Sequence, residues 1–334
     1  MKKRVELPIV EPLYKTYNYQ GNATAVLKEN PSIRNWYLNE VMNLSCNRKF
    51  LNGYTTPEIT VVNTSWIENP YLEKKWALYR FAKGYINPII RELINNGYYV
   101  CFTSVDDYYV EGKSWYKERH RGHDGMICGY DQNDKTYCIY SYDSKWIQQK
   151  FWTSQKGFLQ GCKATAKKGQ YAVFCGVKPI EEKIQISIEK ICKNLKEYLD
   201  STFEKYPMEV RDKEAYGIIV HEYIRLYIKK LADGSIPYER MDRRIFRLIW
   251  EHKKNMLERI SAVEQVAGWD NWLSNRYACV VEKANHIRTL YASYNLKRRD
   301  SLLSVIDKNL SEIMEEEKEI LAIFIKKIEK EIEK

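Results

Sequence analysis

The amino-acid sequence predicts an α+β protein, with an antiparallel sheet in the first part of the chain and helices alone in the second. Before residue 180, short apolar runs rich in β-branched and aromatic residues alternate with Gly, Asn and Asp, which is typical of strands and turns. After residue 180, apolar residues recur at spacings of three and four, as on amphipathic helices. Strands and helices that are segregated along the chain indicate the α+β class.

The first part is expected to begin with helices and to continue as a sheet. Helices are predicted at 21–30, 31–46 and 72–96, and strands at 58–66, 98–105 and 170–178 and on both sides of the turn 131–135. Pro31 suits the first turn of a helix, whereas Pro88 predicts a break in the third helix just before it. Gly97 ends that helix.

The second part is predicted to be a set of amphipathic helices. They are expected at 186–199, 215–231, 241–263, 275–294 and 310–334. The last helix carries a stripe of apolar residues, Ile313, Ile320, Phe324 and Ile328. Such a stripe fits either one helix of a bundle or a short coiled coil. The change in pattern predicts two domains, 1–180 and 181–334.

Composition indicates a cytoplasmic protein with more than one core. The chain of 334 residues exceeds the usual size of a single hydrophobic core. Its apolar runs stay short of the roughly 18 residues that a membrane span needs, and we expect no signal peptide. The eight Cys residues are scattered without a Cys-x-x-Cys pair, which argues against a zinc site and for reduced thiols.

The net charge of +10 favours an acidic partner. An acidic carrier protein and a nucleic acid both fit this charge. Four arginines recur at helical spacing, namely Arg240, Arg243, Arg244 and Arg247. They would suit a nucleic-acid surface, but such charges more often form a solvated helix face that pairs with nearby acids. We therefore expect a protein partner, and neither a nucleic acid nor a membrane.

The clearest chemical motif is the hairpin around the turn 131–135. If this turn has five residues, Tyr130 pairs with Thr136, and His123 stands opposite Asp143 with Cβ atoms about 5 Å apart. The carboxylate would then orient the imidazole and leave its second nitrogen free as a base. A turn of four residues shifts the register by one and turns Asp143 away. The alternative interpretation is a surface histidine near a turn.

A His–Asp pair that works on acyl groups needs a nucleophile, and Cys46 is the leading candidate. A thiolate beside an imidazolium has a lowered pKa and attacks thioester or amide carbonyls. The alternative for Cys46 is a buried thiol at the end of a helix. Cys162, in a predicted polar loop, is a weaker candidate. The remaining cysteines of the first part are expected in the core of strands, namely Cys101, Cys128, Cys138 and Cys175.

Residues 105–143 resemble the core of a papain-like family of cysteine-protease homologues from bacterial nonribosomal peptide clusters. The N-terminal part of the butirosin-type acyltransferase belongs to the same group. The resemblance lies in Asp107–Tyr109, His123–Asp124, Gly129–Asp131 and Asp143. Weaker similarity continues at 7–12, 34–46, 215–228 and 252–260, so that it spans most of the chain.

This resemblance implies a papain-like fold for residues 1–180 and an acyltransferase with a catalytic triad of Cys46, His123 and Asp143. The acyl group would pass from the phosphopantetheine thioester of an acyl or peptidyl carrier protein, through Cys46, to a small amine. One member of the family forms amide bonds in closthioamide assembly. Amide formation from a thioester is downhill without ATP, so we expect no cofactor.

One departure from the family bears on the triad. Many papain-like relatives carry the nucleophilic Cys at the start of the first helix. That helix is expected to begin near Gln20–Asn22, and no Cys precedes Cys46. Either Cys46 acts from another position, or the triad is incomplete and the chain only binds its partners; Ala23 and Ala25 would fit a substituted nucleophile. Hydrolysis of a peptide or thioester by the same triad is a further alternative.

Overall fold

The computed structural model describes residues 3–26, 31–52, 56–67, 69–82, 84–203 and 213–334. The chain folds as two compact units. Unit 1 comprises Met1–Ile33 and Thr64–Lys183, and unit 2 comprises Arg34–Asn63 and Ile184–Lys334. The predicted domain 1–180 is therefore interrupted, because residues 34–63 belong to the helical unit. Residues 27–30 of the first predicted helix lie outside the described part of the chain.

Unit 1 is built around an antiparallel sheet. In the part of the chain that the structure describes, this sheet has seven strands: β1 (Arg4–Glu6), β4 (Leu72–Leu78), β5 (Tyr99–Asp106), β6 (Gly122–Asp131), β7 (Thr136–Tyr142), β8 (Gln148–Ser154) and β9 (Val173–Pro179). The order is β4-β9-β5-β6-β7-β8, and β1 pairs with the end of β6. The α+β class with an antiparallel sheet is confirmed.

Helices pack around this sheet. They are α1 (Asn18–Ala25), α3 (Tyr79–Ala82), α4 (Ile86–Asn95) and α5 (Gln155–Lys167). The prediction of a helix over 72–96 is wrong for its first part, because Leu72–Leu78 pairs along its whole length with β9. The break in the predicted helix lies before Ile86, the first residue of α4, rather than just before Pro88. Pro88 lies in the first turn of α4, where a missing N–H has little cost.

The hairpin of β6 and β7 differs from the prediction in its turn but regains the predicted register. Asp131 pairs with Thr136, so the turn has four residues and not five. A bulge at Cys128 then compensates for the shorter turn, and Ile127 faces Ile139 as predicted. The strand β7 ends at Tyr142, so the ladder stops before Asp143.

Unit 2 combines a small sheet with long helices. Its strands β2 (Leu44–Asn47), β3 (Ile59–Val61) and β10 (Glu214–Tyr216) lie in the order β10-β2-β3. From Arg34 onward its helices are α2 (Pro31–Glu40), α6 (Ile188–Leu199), α7 (Val220–Ala232), α8 (Ile245–Ala267), α9 (Trp272–Lys297) and α10 (Ser301–Ile332). The predicted helical region in the second part is confirmed, but it does not consist of helices alone, because Glu214–Tyr216 forms a strand where the start of a helix was predicted. The helix α10 packs against α6, α7 and α9, as expected of a bundle helix.

A buried arginine joins the end of α2 to the other helices of unit 2. Arg259 of α8 is 1% exposed. Its guanidinium donates hydrogen bonds to the carbonyl oxygens of Leu38 at 2.6 Å and Val41 at 2.8 Å. These carbonyls lie at the C-terminal end of α2, where backbone acceptors lack partners within the helix. The Arg259 side chain of α8 therefore caps the C-terminal end of α2, a helix that lies far from α8 in the sequence.

Candidate active site

Two consecutive aspartates at the end of β5 each bind a histidine. Nδ1 of His120 lies 2.9 Å from Oδ2 of Asp106, and Nδ1 of His123 is hydrogen-bonded to Oδ2 of Asp107. The aspartate side chains are 1% and 3% exposed, whereas those of His120 and His123 are 48% and 25% exposed. In each pair, a buried carboxylate thus holds a partly exposed imidazole.

A bulge in β5 sets the position of His123. The pairing of β5 with β6 shifts between Phe102 and Val105, and Ser104 adopts a φ of 53° at this point. Such an extra residue re-aims the side chains that follow it. Beyond the bulge, Val105 pairs with His123, so His123 lies beside the end of β5.

The turn after β5 sets the position of Asp107. The carboxylate of Asp106 accepts hydrogen bonds from the backbone N–H groups of Tyr108 at 3.2 Å and Arg121 at 3.0 Å. The first bond caps a single 3-10 turn at Asp107–Tyr109, and the second ties the incoming strand β6 to the same carboxylate. Asp107 therefore projects from a fixed turn next to His123.

The His123–Asp107 pair has the geometry of a general base with an orienting carboxylate. When Asp107 accepts the Nδ1–H of the neutral ring, Nε2 carries the free lone pair. Among the described residues, Nε2 has no hydrogen-bond partner. A positioned imidazole of this kind can take a proton from an amine, a water or a thiol.

A buried lysine lies behind Asp107. Nζ of Lys113 is 3.8 Å from Oδ1 of Asp107 and donates a hydrogen bond to Oγ of Ser141 at 2.7 Å. Burial lowers the pKa of Lys113, and the charges of Asp107 and Asp124 oppose that lowering. Gly112 permits the turn before Lys113, because its φ is 92° and a Cβ there would lie 2.6 Å from the Phe151 ring.

The first residue of α1 joins this network. The side-chain amide of Asn18 donates to Oγ of Ser141 at 3.0 Å and to the backbone carbonyl of Asp124 at 3.2 Å. Gln148 of β8 donates in turn to Oδ1 of Asn18 at 3.4 Å. The start of α1 is therefore fixed against β6, β7 and β8, next to the residue that follows His123.

Ser141 is unsuited to act as a nucleophile, although Ser–Lys pairs serve that purpose in some hydrolases. Its hydroxyl accepts from both Lys113 and Asn18 and donates to the carbonyl oxygen of Asp124 at 3.2 Å. Ser141 is also 0% exposed. All lone pairs and the proton are in use, so the hydroxyl is part of the framework that holds Lys113.

Asp143 does not orient His123, and this part of the prediction is corrected. Its carboxylate accepts hydrogen bonds from the backbone N–H of Lys145 at 2.8 Å and of Ile147 at 2.9 Å, and from the Gln149 side chain. Burial would raise the pKa of Asp143, but these three donors hold it below its ordinary value. The carboxylate shapes the turn between β7 and β8, and Asp107 takes the predicted place at His123.

Cys46 lies in unit 2, whereas His123 and Asp143 lie in unit 1. Cys46 is a residue of β2 and is 0% exposed. Burial, together with the charge of Glu214, raises the pKa of its thiol to about 12. This environment opposes formation of a thiolate, which is the reactive form.

The cysteines of unit 1 are buried as well. Cys162 lies in α5 and not in a polar loop, and burial raises the pKa of its thiol. A hydrogen bond from Cys128 lowers the pKa of Cys138, but that thiol is 0% exposed within β7. None of these thiols therefore combines exposure with activation.

Thiol labelling should reflect this pattern. Cys279 is exposed, whereas the other seven cysteines are buried. We expect brief treatment of the folded protein with iodoacetamide to add one carbamidomethyl group, as measured by intact-protein mass. The adduct should vanish in Cys279→Ser and persist in Cys46→Ala. Rapid labelling of Cys46 in the folded protein would contradict the described environment of β2.

Sequence reasoning missed three members of the site: Asp107 as the partner of His123, Lys113 and Asn18. A signal existed for the first, since two adjacent aspartates directly follow an apolar strand, at Asp106 and Asp107. Lys113 looks like an ordinary loop lysine in the sequence. Its burial follows from the path of the loop, which no local pattern reveals.

Comparisons with known proteins add no assignment. No family model matches the chain, and the search of curated proteins gave no significant match. Among the described residues, no group of three or more His, Cys, Asp and Glu side chains is arranged to hold a metal ion. Within the same residues, no helix has an apolar stretch long enough to cross a bilayer.

Proposed function

We propose that this chain transfers an acyl group from a carrier-protein thioester to a small amine, with His123 as the general base and Asp107 as its orienting carboxylate. The observation that carries the proposal is the His123–Asp107 pair, in which the buried carboxylate binds Nδ1 and the partly exposed ring offers Nε2. This pair supplies base catalysis, the step that an attacking amine requires.

The class of acyl donor rests on the family resemblance of residues 105–143, as does a papain-like fold for unit 1. The packing of α1 against β6 and β7 supports that fold, because a helix beside the base is expected in a papain-like lobe. The first helical residue is Asn18, where relatives place the nucleophilic Cys. This difference favours direct transfer to the amine, without a covalent acyl-enzyme.

Direct transfer balances without a cofactor. The amine nitrogen attacks the thioester carbon, and Nε2 of His123 takes a proton from that nitrogen as the C–N bond forms. The tetrahedral intermediate then collapses, the C–S bond breaks, and the carrier thiolate receives the proton. The products are an amide and a carrier with a free thiol. The net charge of +10 supports an acidic carrier as the partner.

Product analysis tests this proposal. The protein is incubated with a thioester-loaded carrier protein and with candidate amines that the neighbouring genes suggest. The amide and the free acid are then quantified by mass spectrometry. We expect amide from both the wild type and Cys46→Ala, provided that the variant folds. Free acid as the main product would assign a hydrolase to the same site. Neither product, with donors that other enzymes accept, would reject catalysis and favour a binding protein.

A further inference from the structure

The buried Lys113 adds a positive charge to the site, next to the His123–Asp107 pair. His123 binds Oδ2 of the Asp107 carboxylate, whereas the ammonium of Lys113 lies 3.8 Å from the other oxygen, Oδ1. Both side chains are 3% exposed, so water screens their interaction weakly. We propose that Lys113 is a positioning residue, which shares the Asp107 carboxylate with His123 and thereby sets how readily His123 takes up a proton.

Charge balance gives the direction of this effect. With a neutral imidazole, two carboxylates, Asp107 and Asp124, surround one ammonium, so the cluster carries one net negative charge. Loss of the ammonium leaves two negative charges beside His123, and nearby negative charge favours the protonated imidazole. A base must be unprotonated to accept a proton, so Lys113 extends base activity to lower pH.

The other groups around the pair leave this direction unchanged. The carboxylate of Asp106 is bound by His120 and by two backbone N–H groups. Tyr108 and Tyr109 follow Asp107 in the same 3-10 turn. Asn18 of α1, Ser141 of β7 and Gln148 of β8 contribute uncharged polar side chains to this network, and Thr165 of α5 lies beside Gly122.

The proposal is tested by titrating the His123 ring with NMR. The chain has five histidines. Burial lowers the pKa of His221 to about 3 and that of His252 well below its ordinary value, so neither should titrate near neutrality. The three remaining rings are those of His120, His123 and His286, and the spectrum of His123→Gln assigns His123. In Lys113→Met, we expect the His123 midpoint to rise by about one pH unit or more.

Two further variants separate charge from structure. Ser141→Ala removes the hydrogen-bond partner of Lys113 but keeps the ammonium, so the His123 midpoint should move little. Lys113→Gln keeps a donor for Ser141 but removes the charge, so it should raise the midpoint as Lys113→Met does. Lys113→Gln also serves as the test if Lys113→Met does not fold. The His120 midpoint should change less than that of His123 in every variant.

The inference rests on the proposed base role of His123, but the titration does not need turnover. An unchanged His123 midpoint in a folded Lys113→Met or Lys113→Gln protein would overturn it, whatever the fate of the acyl-transfer proposal. Where turnover is measurable, both lysine variants should lose rate at neutral pH and regain it at higher pH. A loss that is equal at all pH values would indicate a purely structural role for Lys113.

Discussion

Replacement of His123 by Gln is expected to lower the rate of amide formation by about 10²- to 10⁴-fold, the usual contribution of a positioned general base. Gln cannot accept a proton from the attacking amine, although it can still donate a hydrogen bond to Asp107. Binding of the carrier should therefore persist while turnover falls. The measurement is the initial rate of amide formation at saturating donor and amine, compared with the wild type.

Asp107→Asn should lower this rate to a similar extent. An amide at this position can donate to Nδ1, which favours the ring tautomer with the proton on Nε2 and removes the base. His120→Gln is the matched control, because His120 forms a similar pair with Asp106 at 2.9 Å. The control should retain most of the rate. Equal losses in His120→Gln and His123→Gln, or full activity in His123→Gln, would contradict the assignment.

The second large effect concerns stability, at a buried ionic cluster in unit 2. Lys253 of α8 and Glu317 of α10 are both 0% exposed, and Nζ lies 2.6 Å from Oε2. Tyr198 and Tyr277 donate their hydroxyl protons to the same carboxylate. Burial would raise the pKa of Glu317, but attraction to Lys253, His221 and His252 and the hydrogen bond from Lys253 lower it to about 2. Glu317 is therefore ionised at neutral pH.

Lys253→Met should destabilise unit 2 by about 3–5 kcal/mol, because it removes the lysine counter-charge of the buried Glu317 carboxylate. The measurement is the free energy of amide hydrogen exchange in Ile245–Ala267 and Ser301–Ile332, which reports opening of unit 2 itself. Two controls accompany it. Lys253→Met with Glu317→Gln removes both charges and keeps an acceptor for the tyrosines, so it should cost less than Lys253→Met alone.

The other control is a neighbouring ion pair at the surface. Lys283 binds Glu316 at 2.6 Å, but its side chain is 45% exposed. Lys283→Met should therefore cost less than about 1 kcal/mol. Similar costs for Lys253→Met and Lys283→Met would show that burial of the Lys253–Glu317 pair has no special effect on stability.

The sequence was sufficient to predict the hairpin and to single out His123, but it did not identify the carboxylate that binds His123. Alternation and turn residues located β6 and β7, whereas a bulge at Cys128 offset an error in the length of the turn. The predicted register places Asp143 opposite His123, but β7 ends at Tyr142 and the ladder does not reach Asp143. The actual partner, Asp107, comes from a bulged strand and a 3-10 turn, and such irregular backbone has no periodic signature.

The ionic cluster of unit 2 did leave a trace in the sequence. Lys253 lies between Ile249 and Met256 at helical spacing, and Glu317 lies between Ile313 and Ile320. A charge on an otherwise apolar stripe indicates a buried polar group that needs a partner. The identity of that partner depends on how α8 and α10 pack, so only the tertiary structure supplies it.

The most direct test of the central claim is the intact mass of the protein after incubation with an acylated carrier, first without amine and then with it. Direct transfer assisted by His123 predicts an unchanged protein mass in both samples, with amide released once the amine is present. An acyl adduct that forms without amine, is consumed when amine is added and disappears in Cys46→Ala would contradict the account. That result would restore Cys46 as the nucleophile.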